Sequence, residues 1–150
     1  MSEHENVTLV KRWFKEVWNE GRAETVRELL APSLLGEGQV EDGSTITTPE
    51  EFLAFQARLL KAFPDLKITI EDAFAAGDKV AARWVSRGTH TGDDLGVPAT
   101  NKVVVVTGMS MATIRDGKIV DARDNWDRLK MMMEIGAVET VKTPALAQTA

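Results

Sequence analysis

Phe63-Pro64-Asp65-Leu66-Lys67-Ile68-Thr69-Ile70-Glu71 is the stretch at which the chain changes its period. Upstream, Phe52, Phe55, Leu59 and Phe63 fall on one face of a helix. That helix opens at Thr48-Pro49-Glu50-Glu51, which reads as an N-cap, a proline at the first helical position and a capping-box glutamate. Downstream, Leu66, Ile68 and Ile70 alternate with Lys67, Thr69 and Glu71, the period-2 pattern of a half-buried strand. Pro64 marks the switch, because proline cannot continue a helix.

Working outward, Val10, Trp13, Phe14, Val17 and Trp18 form a second helical stripe, with Gly21 placed to end it. A short helix follows, carrying Val26, Leu29 and Leu30 on one side with Pro32 just beyond its end. From Ser33 to Thr47 the pattern is weak, with a short strand expected near Leu34–Val40. After the period change, Gly77-Asp78 turns the chain into a second strand, Lys79 to about His90. A loop from Thr91 to Asn101 precedes a third, Lys102 to Ile114. Asp116-Gly117 is a strong hairpin signal, and the last strand runs from Lys118 to about Trp126. A short helix with Met131–Met133 ends near Gly136. Helices first and an antiparallel meander second give an α+β fold. The expectation is one domain over 1–136, its N-terminal helices packed on a strongly curved, mainly antiparallel sheet that encloses one pocket. Residues 137–150 read as a frayed tail.

The 150 residues carry 18 Lys+Arg against 23 Asp+Glu, a formal charge of −5, which argues against a grip on phosphate backbones. With no cysteine, disulfides, thiolate nucleophiles and zinc–thiolate sites are excluded. Only His4 and His90 are available as imidazoles, and the absence of tyrosine removes any phenol as acid or oxyanion donor. No apolar run approaches the roughly 20 residues that span a bilayer. The opening Met1-Ser2-Glu3-His4-Glu5-Asn6 lacks the features of a secretory signal, so a cytoplasmic protein is expected.

Four stretches of the chain resemble the SnoaL-like polyketide cyclase family, within the nuclear-transport-factor-2-like fold of cone-shaped α+β barrels. They are Phe63-Pro64-Asp65-Leu66; Gly88-Thr89-His90-Thr91-Gly92; Leu95-Gly96-Val97-Pro98; and Asp116-Gly117-Lys118-Ile119-Val120 continuing to Arg123-Asp124-Asn125-Trp126-Asp127. With the amphipathic first helix, the similarity covers about residues 7 to 136. The resemblance implies a homodimer with a deep apolar pocket. In the family's cyclases it also implies an aspartate on the last strand, acting as acid/base in the intramolecular aldol closure of an aromatic polyketide ester without metal or cofactor. Asp124 occupies the matching position. A histidine on the preceding strand of the best-known cyclases aligns with Ser110, and two further polar pocket positions appear as Gly108 and Ala122. The fold hosts enzymes, binding modules and transport adaptors alike.

Strand alternation tests whether these residues share a pocket. If Asp124 faces inward, so do Val120, Ala122 and Trp126, while Asp121, Arg123 and Asn125 face outward. A carboxyl on that apolar face is desolvated and its pKa rises above about 3.9, which makes it a better proton acceptor near neutral pH. Alternatively Asp124 caps the last helix or pairs with Arg123 or Arg128, although Asp127 suits the cap better. His90 ends the face carrying Val80, Ala82, Trp84, Ser86 and Gly88, where its imidazole could polarise an enolate or relay a proton, or simply fix the turn. Ser110 could donate one hydrogen bond to substrate or bond a nearby carbonyl. Phe14, Trp18, Phe52, Phe55, Trp84 and Trp126 could line a pocket for a flat conjugated ligand, or serve as ordinary core. Trp126 Nε1–H, a backbone N–H or a water are candidates for stabilising an oxyanion. Asp93-Asp94 reads as solvated charge, with no metal site expected.

Three functions follow. The first is a cofactor-independent cyclase, or a related lyase or isomerase, with Asp124 as acid/base and His90 and Ser110 assisting. The second is a non-catalytic module that binds a small hydrophobic ligand, favoured by Gly108, Ser110 and Ala122. The third is a hydrolase of a small hydrophobic substrate, ranked lower because Arg123 points away from Asp124. Val103, Val105, Met109 and Met111 make an apolar stripe on the convex face, for which a second copy of the chain is the expected cover. No nucleic-acid or membrane partner is expected.

Overall fold

The computed structural model describes residues 2–139. The tail expected to fray therefore lies outside the described residues from 140 onward. Ala137 and Val138 turn back on the last helix, their N–H groups meeting the Met132 carbonyl at 2.8 and 3.2 Å.

α1 (Glu3–Trp13) starts at Ser2, whose Oγ accepts from the Glu5 N–H at 3.1 Å. The single helix expected through Trp18 widens at Phe14 into a π-helical stretch, Phe14–Asn19. The wider turn keeps Phe14, Val17 and Trp18 all buried. Gln56 Nε2 donates to the Val17 carbonyl at 2.8 Å, and the Asn19 carboxamide closes two bonds on the backbone of Ile68. Gly21, at φ +66°, turns the chain into α2 (Ala23–Leu29).

β1 (Leu30–Glu37) corrects the sequence reading, which placed Leu30 in the helix and began the strand at Leu34. Pro32 lies inside this strand. It is tolerated because pairing with the neighbouring strand lapses there, from Leu30↔Ile119 to Leu35↔Asp121, so no ladder hydrogen bond asks for its missing N–H. α3 (Pro49–Ala62) is capped as expected, Thr48 Oγ1 accepting from the Glu51 N–H at 3.2 Å. The Glu51 carboxylate reaches back one residue further than a standard capping box, to the Thr47 N–H at 3.0 Å.

The meander is β2 (Lys67–Ala76), β3 (Lys79–Thr89), β4 (Val103–Arg115) and β5 (Lys118–Trp126), followed by α4 (Arg128–Glu134). The sheet runs β1-β5-β4-β3-β2, with β1 parallel to β5 and every other pair antiparallel; it curls around the helices without closing. Asp116 and Gly117 both adopt positive φ, +50° and +71°, as a tight hairpin turn requires. One alternation fails. Ile114 pairs with Ile119 but Thr113 with Asp121, so Val120 is an extra residue, a bulge, and Ile119 rather than Val120 faces inward.

Two of the quoted stretches prove to be one junction. Asp65 accepts from the Thr89 N–H and Oγ1 at 2.6 and 2.7 Å, tying the end of α3 to the end of β3. A Cβ on Gly88 would press on Phe63 at 3.1 Å, and one on Gly92 would strike the Lys61 carbonyl at 2.1 Å. On the concave side, Trp13, Trp18, Phe52 and Phe55 pack edge to face. A second apolar group, including Phe63, Val104, Val106, Met131 and Ile135, closes the end under α4.

Candidate active site

The helices and the concave sheet face wall a partly open cavity. Phe14, Trp18, Phe52, Phe55, Trp84 and Trp126 all stand on its wall. The rest is largely aliphatic, and among the described residues the polar lining side chains are Gln39, Ser86, Ser110 and Asp124. Asp124 is the one ionisable group in that set.

Asp124 sits mid-strand on β5, directly opposite Ser110 on β4. Asp124 is half-buried on the cavity wall, and the apolar surroundings push its carboxyl up to about 6, against the downward pull of Ser110 and Gln39 beside it. Both donors are themselves held. Trp84 Nε1–H donates to Ser110 Oγ at 2.9 Å, so the hydroxyl is an acceptor there and its single proton is left for another partner. Gln39 Nε2 also donates to the Ala122 carbonyl at 3.0 Å, and this fixes which way its carboxamide faces. The alternative jobs for Asp124 are taken elsewhere. Asp127 caps α4, accepting from the Lys130 N–H at 3.1 Å. Arg123 points outward to Glu37 at 2.8 Å and Asp121 at 3.0 Å. Arg128 donates to the Val40 carbonyl at 2.8 Å.

Gly108 is explained by its neighbours. It pairs with Trp84 on one side and Trp126 on the other, and a Cβ there would fall 2.3 Å from the Trp84 ring. The space that glycine opens is filled by indole, and the indole N–H serves Ser110.

His90 is placed differently from the expectation. β3 ends at Thr89, and His90 bridges the two ends of the 91–101 loop, its N–H donating to Lys102 O at 2.9 Å while Asn101 N–H donates to its carbonyl at 2.8 Å. Its imidazole is fully buried, with Nδ1 accepting from the Thr100 N–H at 3.2 Å. It does not line the cavity: Phe63, which does, lies against it at 5.4 Å. This is the turn-fixing role. Trp126 Nε1–H is likewise committed, to the carbonyls of Gly38 and Gln39 at 2.9 and 3.1 Å, so it is not a free donor for an oxyanion. Asp93 orders the same loop as His90, accepting from the Ala99 N–H at 2.7 Å.

Gln39 and Ser86 were not legible as site residues. Gln39 lies in the stretch without period, reached through Gly38 at φ +87°, whose missing side chain lets the loop pack on the Asp124 carbonyl. Ser86 is an inward polar residue on an otherwise apolar face, which is the one signal that pointed to it.

The sequence matches the family model for SnoaL-like polyketide cyclases over residues 8–135. It is 30% identical over 131 residues to the aklanonic acid methyl ester cyclase DauD of Streptomyces sp. (strain C5), covering 87% of this chain and 81% of that one. DnrD of Streptomyces peucetius, a cyclase of the same name, is also 30% identical, over 87% of this chain and 90% of its own. Among solved structures, one from Jannaschia sp. CCS1 assigned as a SnoaL-like polyketide cyclase superposes with a TM-score of 0.81 at 29% identity, covering 91% of this chain and 95% of that one. IdmH of Streptomyces antibioticus, assigned as a polyketide cyclase, gives 0.74 at 32%, covering 89% and 99%. With a curled sheet, one apolar cavity and an aspartate on the last strand, and with a family match that spans the whole helix-and-meander unit, this chain belongs to the SnoaL-like polyketide cyclase family.

Proposed function

We propose that the protein catalyses an intramolecular aldol closure, or a closely related proton transfer, on a hydrophobic conjugated carbonyl compound, with Asp124 as the acid/base. The observation that carries this reading is one carboxyl, Asp124, set opposite Ser110 on the wall of an otherwise apolar cavity, where loss of water raises it to about 6. Ionised Asp124 removes a proton from a carbon flanked by carbonyls. The carbanion attacks a ketone of the same molecule, forming the C–C bond, and the protonated carboxyl returns the proton to the new alkoxide. No proton is gained or lost overall. Two relatives are named for a methyl ester substrate, and a neutral ester suits a cavity whose one charge is negative.

The test is turnover of ring-open anthraquinone-type polyketide esters, followed by chromatography against spontaneous closure, with Asp124→Asn alongside. The variant is expected to lose a factor of about 10²–10⁴ in rate. Equal closure by both proteins sinks the role of Asp124. Saturable binding without closure by either selects the non-catalytic module, the reading that Ser110 in place of the family's histidine favours. Hydrolysis in the manner of an aspartate–arginine pair has no support, since Arg123 is exposed and paired on the other face.

We further propose a homodimer through the convex face. Met109, Met111 and Val103 on β4 and Phe74 on β2 are exposed there, Met111 and Phe74 both pairing with Ala81 of β3.

A further inference from the structure

Ser86 is more than nine-tenths buried and lines the cavity, yet its hydroxyl has no hydrogen-bond partner among the described residues. Nor is it among the polar atoms that are sealed off without a partner, which are Asn6 Oδ1, Gln39 Oε1, Glu41 Oε2 and His90 Nε2. Its open side is the cavity itself. An apolar ligand that displaces water from this hydroxyl leaves it unpaired at a cost of roughly 1–3 kcal/mol, whereas a ligand oxygen placed there replaces the lost bond.

Its position relative to Asp124 follows from register. Ser86 pairs with Val106, Ala82 pairs with Ser110, and Ser110 pairs with Asp124. Ser86 is thus offset from the Asp124–Ser110 row by four residues, about 13 Å along a strand, and Asp124 stands two strands across, roughly 10 Å to the side. Trp84 and Gly108 occupy the row between them, so the cavity has two polar poles with an indole between.

We propose that Ser86 is a ligand-binding, specificity-determining residue whose hydroxyl hydrogen-bonds a carbonyl or hydroxyl oxygen at the end of the ligand remote from the reacting carbon. Building on the Asp124 reading, this assigns the ligand a shape: elongated and flat, crossing Trp84, with a neutral oxygen on the far side of that indole from the carbon that Asp124 deprotonates. A hydroxyl both donates and accepts, so it takes either oxygen type, whereas an apolar end leaves Ser86 unpaired and is selected against.

The experiment measures binding, not turnover. Quenching of tryptophan fluorescence is titrated with 1,8-dihydroxyanthraquinone and with anthracene, which has the same three rings and no oxygen. Wild type, Ser86→Ala and Ser86→Thr are compared. Ser86→Ala is expected to bind the dihydroxyanthraquinone about tenfold more weakly and anthracene within twofold of wild type, while Ser86→Thr, which keeps the hydroxyl, stays near wild type for both. Unchanged affinity of Ser86→Ala for the oxygenated probe overturns the proposal, since the hydroxyl then meets water only. Equal weakening for both probes also overturns it, because the effect is then packing. Absence of saturable quenching of the wild type by either probe overturns the ligand shape. The outcome is separable from the acid/base reading: if Asp124→Asn leaves turnover intact, the Asp124 role falls while the binding result for Ser86 stands.

Discussion

A carboxyl pushed up to about 6 by burial keeps its proton in the folded protein over a pH range in which the unfolded chain has released it. Between about pH 4 and 6 the folded state binds more protons than the unfolded one, so this group's contribution to stability falls as pH rises and reaches its full cost above pH 6. Asp124→Asn removes that cost. It is expected to stabilise the protein by about 1–3 kcal/mol at pH 7.5 and by almost nothing at pH 4, read by urea denaturation at the two values. An equal effect at both pH values contradicts the burial argument. For catalysis the signs reverse: the base must be ionised, so the rate rises through about pH 6. Ser110→Ala removes a hydrogen bond that holds the carboxyl down, and the acid limb of the pH–rate profile moves to higher pH, while Ser110→Thr leaves it near wild type. Asp124 was legible from its family position and from alternation. His90 was not, because alternation ends where the strand does, one residue earlier.

Among the elements, β2 to β5 were legible because a one-sided sheet writes its burial into a period of two, and Asp116-Gly117 fixed the register of the last hairpin. The π-helical stretch was hidden, since Phe14, Val17 and Trp18 keep the spacing of an ordinary helical stripe. The bulge at Val120 was hidden too: nothing in Lys118-Ile119-Val120-Asp121 distinguishes an extra residue from a paired one. The start of β1 was misread because Pro32 looks like the end of a helix and is in fact a gap in a parallel ladder. Behind that strand, Gly38 supports the site. Its φ of +87° disfavours a side chain, and a Cβ would fall 1.9 Å from the Asp124 carbonyl oxygen. Gly38→Ala is therefore expected to cost at least about 2 kcal/mol in a thermal or urea melt. A loss below about 0.5 kcal/mol contradicts the close approach.

For the whole molecule, the composition reading and the architecture agree: no helix among the described residues is long and apolar enough to cross a membrane, and one cavity collects the aromatic residues the sequence had singled out. The convex face carries the large exposed apolar side chains of the sheet. Met109 is 59% exposed and Phe74 62%, on the side the helices do not cover. Light scattering is expected to give about twice 16.5 kDa, and Met109→Glu with Met111→Glu to give the monomer mass while the cavity still binds its ligand. A monomeric wild type contradicts the dimer without touching the site, because Asp124, Ser110 and Gln39 all come from one chain.

The most direct measurement is a ¹³C NMR titration of the Asp124 carboxyl in the unliganded protein, assigned by the disappearance of its signal in Asp124→Asn. It needs no knowledge of the substrate. A midpoint near 6 is expected, and Ser110→Ala should move it upward. A midpoint near 4 would show a carboxylate in ordinary contact with water, and would contradict the desolvated acid/base on which the proposed chemistry depends.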